Sequence, residues 1–277
     1  FKQKTAYEIM PSLVGSEMCI RDSCHNAFFG WHTLIVGPTG AGKTSIVRHV
    51  ANSLGKNFVP INCGELSDAI GALKGTVHLR RKGQATETVF VRSNLVNAIA
   101  GANNLILLDE VTRSAPEVVN QLFSILDHQR RIELQEECPP TTVTLGEGTV
   151  FFATANIGSQ YSGTTPIDLA FRDRFMLVVL GYLTLDNEAR IILSKANIPE
   201  KTANQLAAFS SEVRRLHERG ELPSPWSPRQ NIRAAQLVEH GFPLTQAILL
   251  VAEGLYYEEG GDADEYMGKV KQVLQKL

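Results

Sequence analysis

Apolar positions follow two periods along this chain. Between Trp31 and about Gly181, short apolar runs alternate with segments whose apolar residues recur at helical spacing. The runs include Leu34-Ile35-Val36, Leu105-Ile106-Leu107-Leu108, Val150-Phe151-Phe152 and Met176 to Leu180. Unbroken runs of this kind predict strands buried on both faces, and their alternation with helices predicts an α/β fold with a parallel sheet between helical layers. Asn57 to Asn62 adds another short strand. Helices are expected over 45–51, from 65, over 93–100 and over 116–130, the last carrying Val118, Leu122, Ile125 and Leu126 on one face. Two pairs of alternating segments interrupt this plan and predict β-hairpins. They are Thr76 to Arg80 with Thr88 to Arg92, and Ile132 to Leu134 with Thr142 to Leu145 around Pro139-Pro140.

Beyond Gly181 the period is helical throughout. Helices are expected over 184–196 and over 202–219, where Leu206, Phe209, Val213 and Leu216 share a face. The proline-rich stretch 222–228 precedes a helix near Arg229, and two more follow over 243–257 and 264–277. The expected organisation is an α/β domain over 24–183 with two inserted hairpins, then a small all-helical lid over 184–277. Residues 1–23 fit neither pattern and resemble translated sequencing adapter. They are expected to be non-native, which would leave the natural N-terminus missing.

Composition narrows the class. A chain of 277 residues with 43% hydrophobic and 20% charged residues suits one large or two modest globular domains. A net charge of -2 argues against a surface built throughout for nucleic acid. No apolar run approaches the roughly 20 residues that cross a bilayer. Four cysteines without a CxxC pair suggest free thiols in a reducing cytoplasm, and no membrane association is expected.

The chemistry concentrates in a few segments. Gly37-Pro38-Thr39-Gly40-Ala41-Gly42-Lys43-Thr44, followed by Ser45, lies between a strand and a helix, the context of a phosphate-binding loop. Its glycines let backbone N–H groups turn toward a polyphosphate, and the helix N-terminus adds positive charge. Lys43 is expected on the β- and γ-phosphates of ATP, and the Thr44 hydroxyl on Mg²⁺. The strand 105–108 ends in Asp109-Glu110, where open α/β sheets place their ligands. Asp109 is expected to hold Mg²⁺ through water, and Glu110 to polarise the water that attacks the γ-phosphate. Asn156 closes another buried strand, suited to orienting that water or touching the γ-phosphate. Arg172 or Arg174 is a candidate to reach a phosphate in a neighbouring subunit, and Arg229 to reach back from the lid.

Taken together, GPTGAGKT at 37–44, LILLDE at 105–110, FFATAN at 151–156, FRDRF at 171–175 and SPRQNIRAAQ at 227–236 resemble the AAA+ ATPases. Within them the pattern is similar to the MoxR-like group, which includes the ATPase subunit of aerobic cobaltochelatase. The resemblance implies a P-loop NTPase fold, a hexameric ring with ATP between subunits, and work as a remodelling or assembly chaperone. It also implies a partner with a von Willebrand factor A domain and hairpins facing a central pore. Under it, Asn156 is the sensor-1 residue, FRDRF holds the arginine finger, Arg229 is the sensor-2 arginine, and Asn62 restrains the catalytic glutamate.

Two other functions compete. Arg80, Arg81, Lys82, Arg130 and Arg131 near the hairpins could line a pore around a nucleic-acid backbone, as in a nucleic-acid motor or transcription activator. A nucleotide-gated binding module with negligible turnover is the non-enzyme alternative.

Overall fold

The computed structural model describes residues 16–65, 71, 73–82, 85–156, 168–257 and 263–276. The expected helix start over 65–70 lies largely outside them. Contacts divide the chain into an α/β unit, residues 17–38 with 42–181, and a helical unit, residues 182–277, the three loop residues 39–41 aside.

Five parallel strands form the sheet of the α/β unit: β1 (Thr33–Val36), β2 (Asn57–Asn62), β5 (Asn104–Asp109), β8 (Val150–Ala155) and β9 (Met176–Val179). Their order is β2-β5-β8-β1-β9, so the strand bearing the glycine-rich loop lies between β8 and β9. Every residue of β1 and β8 is buried, whichever way it points. Both sheet faces are therefore covered, which explains the unbroken apolar runs. One face, carrying Leu34, Ile106, Leu108, Phe151 and Ala153, joins a core with Leu95, Val96 and Ile99 of α3 (Asn94–Ala100), Val118 of α4 (Pro116–Gln121) and Ile125 and Leu126 of α5 (Phe123–Leu126). Helix α2 (Lys43–Ser53) buries Ile46, Val47, Val50 and Ala51 and packs on β2, β5 and β8.

The helix expected over 116–130 ends earlier, with its last apolar residue. It is interrupted at Leu122 and stops at Leu126, where Asp127 is extended and its carboxylate accepts the Gln129 N–H at 2.8 Å. An aspartate that offers the backbone a local partner ends the helix where its apolar face runs out. Both hairpins form. β3 (Gly75–Lys82) pairs antiparallel with β4 (Ala85–Arg92), and β6 (Arg131–Leu134) with β7 (Thr141–Thr144). Helix α1 (Ser16–Phe28) takes up the last residues of the segment set apart in the sequence, with Ile20, Ser23 and Cys24 buried.

The helical unit contains α7 (Leu185–Lys195), α8 (Glu200–Glu218), α9 (Pro228–Glu239), α10 (Leu244–Tyr256) and α11 (Ala263–Leu274). Its core gathers Leu206, Phe209, Val213, Trp226, Ile248 and Tyr256. An ion pair is sealed inside it. Arg214 donates twice to Glu188, at 2.7 Å each, and once to the Trp226 carbonyl, while Asn231 donates to Glu188 at 2.8 Å and accepts from the Trp226 indole. Among the described residues, no helix is long and apolar enough to cross a membrane.

Candidate functional site

Parallel register brings the candidate residues to one edge of the sheet. Leu108 pairs with Ala153, and Val36 with Ala155. The next residues along, Asp109, Asn156 and Gly37, therefore leave the same carboxyl ends, the edge where such sheets bind ligands. Asn62 lies beside Asp109 in the β2–β5 register, and its amide oxygen accepts the Gly64 N–H at 3.1 Å.

The glycine-rich loop is built by close approach. A Cβ on Gly37 would lie 2.6 Å from the Leu180 carbonyl oxygen, so only glycine lets β1 turn there. Gly42 caps α2 with φ 87°, in the left-handed region, and no acidic residue occupies the helix's first turn. The α2 N-terminus thus carries positive potential that no acid of its own first turn offsets.

Lys43 is mostly buried, and its ammonium donates to the Gly37 carbonyl at 2.9 Å, the Pro38 carbonyl at 2.8 Å and Asn156 Oδ1 at 2.7 Å. Burial pulls its pKa down from 10.5 to about 8, opposed by the negative charge of Asp109 and Glu110. Three neutral acceptors hold this cation where burial, and not its neighbours, disfavours the charge, a cost that a bound anion would relieve. The structure thus joins Lys43 to Asn156, two residues 113 positions apart in sequence.

Thr44 Oγ1 donates to Asp109, 3.0 Å from Oδ2 and 3.2 Å from Oδ1. A carboxylate and a hydroxyl this close are hard oxygen donors suited to Mg²⁺, which commonly takes one or two protein ligands and completes its shell with water and phosphate. Among the described residues, no cluster of three or more His, Cys, Asp or Glu forms an all-protein cage.

Glu110 follows with φ 55°, a left-handed conformation unusual for a residue with a side chain. Its carboxylate pairs with Arg113 Nε at 3.1 Å, with both side chains about half exposed. Sequence reasoning missed Arg113, whose turn was unassigned, and Thr154. The Thr154 hydroxyl donates to Asp109 Oδ1 and accepts the Glu110 N–H at 2.9 Å. The available signal was a lone hydroxyl inside the apolar run 150–155.

The two candidate arginines stand elsewhere. Helix α6 (Leu169–Arg172) precedes β9, and Met176 at the start of β9 pairs with Thr33 at the start of β1. Arg172 and Arg174 therefore lie at the amino edge of the sheet, about 10 Å or more along the strands from Gly37 at about 3.3 Å per residue. Arg172 is exposed. The Arg174 guanidinium lies 4.5 Å from the Phe123 ring centre and donates to the Ala170 carbonyl. Neither joins the cluster of its own chain. Arg229 is exposed in the first turn of α9, whose start is fixed by a capping box between Ser227 and Gln230.

Comparison with known proteins fits this geometry. Residues 32–175 match the AAA domain of the dynein-related subfamily, and residues 188–253 match the CbbQ/NirQ/NorQ C-terminal family. The chain is 29% identical over 218 residues to BssE of Thauera aromatica, a candidate chaperone, covering 78% of this chain and 72% of that protein. It is 24% identical to the protein SSP1341 of Staphylococcus saprophyticus, covering 68% and 70%. Among solved structures, a point mutant of Thermotoga maritima RuvB superposes with a TM-score of 0.52 at 16% identity, over 95% of this chain and 69% of that one. A candidate ATPase of Cytophaga hutchinsonii gives 0.50 at 18%, over 96% and 91%. These likenesses show the fold. The matched domain spans more than half of the chain, and with the C-terminal match it makes this protein a member of the AAA+ P-loop NTPases, of the MoxR and CbbQ type.

Proposed function

We propose that the protein is a Mg²⁺-dependent ATP hydrolase that works as a homo-oligomeric ring, a hexamer, and uses turnover to remodel or assemble a protein client in the cytoplasm. The observation that carries this reading is the convergence of Lys43, Thr44, Asp109, Glu110 and Asn156 on one sheet edge. The backbone of residues 37–45 wraps the phosphates, and Lys43 exchanges its carbonyl partners for phosphate oxygens. Thr44 and Asp109 would hold the magnesium ion, which would supply positive charge to the phosphates when bound. Glu110 accepts a proton from the attacking water, and Asn156 orients that water or the γ-phosphate.

Arg172 or Arg174 supplies positive charge to the site of the next subunit. Their place at the opposite sheet edge supports action between chains rather than within one. Arg229 serves as a second phosphate sensor from the helical unit. The likeness to BssE favours a chaperone role, and a von Willebrand factor A protein is the proposed partner class. The ATPase subunit of aerobic cobaltochelatase is one functional model within this reading, with no residue of the site tied to that client.

Single-turnover hydrolysis of ATP by the wild type and by Glu110→Gln tests the proposal. The wild type is expected to hydrolyse ATP only with Mg²⁺, and the variant to bind ATP without cleaving it. Equal cleavage by both would remove Glu110 from the mechanism. Hydrolysis stimulated by DNA, with salt-sensitive DNA binding, would instead favour a nucleic-acid motor.

A further inference from the structure

The roles proposed above leave the buried Thr154 hydroxyl unused. Thr154 is fully buried in β8, between Ala153 and Ala155 in a strand otherwise made of apolar residues. A hydroxyl is tolerated in such a place when its bonding capacity is used. Here it donates to Asp109 Oδ1 and accepts the Glu110 N–H at 2.9 Å. A single side chain thereby touches the candidate magnesium acid and the backbone of the candidate base.

We propose that Thr154 is a positioning residue for magnesium binding and hydrolysis, a proposal that rests on the ATP reading above. Asp109 ends its strand, so the plane of its carboxylate is set by partners rather than by packing. Two hydroxyls set it: Thr44 from α2, whose oxygen is also a candidate metal ligand, and Thr154 from β8, which remains an anchor when Thr44 turns to the cation. The second bond acts on Glu110. Its φ of 55° is a conformation that persists where the surroundings over-determine it, and the hydroxyl of Thr154 accepts the N–H of that same residue. The strand bearing Asn156 thus reports its position, through Thr154, to both acids. Outer partners of metal ligands commonly change metal affinity about 10–100-fold when removed.

The test uses the full chain and a fluorescent ADP, titrated with and without Mg²⁺, for the wild type, Thr154→Val and Thr154→Ser. Thr154→Val keeps the shape and removes the hydroxyl. It is expected to bind nucleotide without Mg²⁺ as the wild type does, and to need about 10–100-fold more Mg²⁺ for half-maximal tightening. Thr154→Ser is expected to restore the wild-type Mg²⁺ dependence. Should Thr154→Val not fold by circular dichroism, Thr154→Ala removes the same hydroxyl and gives the same readout. A hydroxyl-free variant with unchanged Mg²⁺ dependence overturns the role of Thr154 alone. A wild type that binds the nucleotide no tighter with Mg²⁺ than without it overturns the ATP reading instead.

Discussion

Two polar networks, each built on a cation, a carboxylate and an asparagine, reach opposite states. In the helical unit, Glu188, Arg214, Asn231 and the Trp226 indole satisfy one another, with the ion-paired side chains 1% and 7% exposed. At the sheet edge, Lys43 is held by two carbonyls and an amide, and Asp109, whose charge acts on it, is bound by hydroxyls. The first network is closed and serves the fold. The second keeps its cation and its anion apart, each on a neutral partner, so that a ligand carrying both metal and phosphate can take them up. Charge type alone does not distinguish a structural pair from a functional site; the identity of the partners does.

The largest effect that separates the two networks is catalytic. Glu110→Gln is expected to lower single-turnover hydrolysis about 10²–10⁴-fold while leaving the thermal midpoint unchanged. A matching loss of stability would place Glu110 in a structural network. Next comes the closed pair. Arg214→Ala leaves Glu188 buried without its cation and is expected to cost about 3–5 kcal/mol in denaturant unfolding, whereas replacing both partners with apolar residues of similar volume should cost less, because only neutral groups, the Asn231 amide and the Trp226 carbonyl, then lose a partner. A double replacement as damaging as the single one would contradict the reading of that network as a compensated pair.

A smaller effect concerns protons on Lys43. Because burial holds its pKa near 8 rather than 10.5, the folded chain binds fewer protons than the unfolded chain between those values. Its penalty on stability is complete below about pH 8 and is lifted as pH rises toward 10.5. Polyphosphate needs the ammonium, so ADP affinity is expected to fall by up to about tenfold per unit as pH rises past 8. Calorimetric titration at several pH values measures that slope, and Lys43→Met should abolish it. The smallest effect is the exposed counterpart of the Arg214 pair. Arg113→Gln breaks an ion pair that is half in solvent and should change folding stability by less than about 1 kcal/mol.

Much of this was legible in the sequence, for reasons that also explain the rest. β5 and β8 could be read because strands covered on both faces admit few polar residues, so their ends announce themselves at Asp109 and Asn156. The glycine-rich loop could be read because its backbone geometry demands glycine at fixed places. Thr154 escaped because one hydroxyl in an apolar strand looks like tolerated β-propensity until its two partners are seen. Glu188 and Arg214 escaped for another reason. They lie 26 residues apart on different helices, where isolated charges at helical spacing look like solvated faces. The helix expected over 116–130 overruns its true end because nothing apolar follows Leu126 to hold another turn, and Asp127 takes the Gln129 N–H instead.

On the proposed mechanism, hydrolysis needs acids from one chain and an arginine from the next. Mixing Glu110→Gln subunits with Arg174→Ala subunits, and separately with Arg172→Ala subunits, tests it most directly by steady-state ATP hydrolysis. One arginine variant should be inactive alone, and its mixture with the equally inactive glutamate variant should regain turnover. If each arginine variant alone hydrolyses ATP at the wild-type rate, or if the inactive pair stays inactive when mixed, the claim is contradicted.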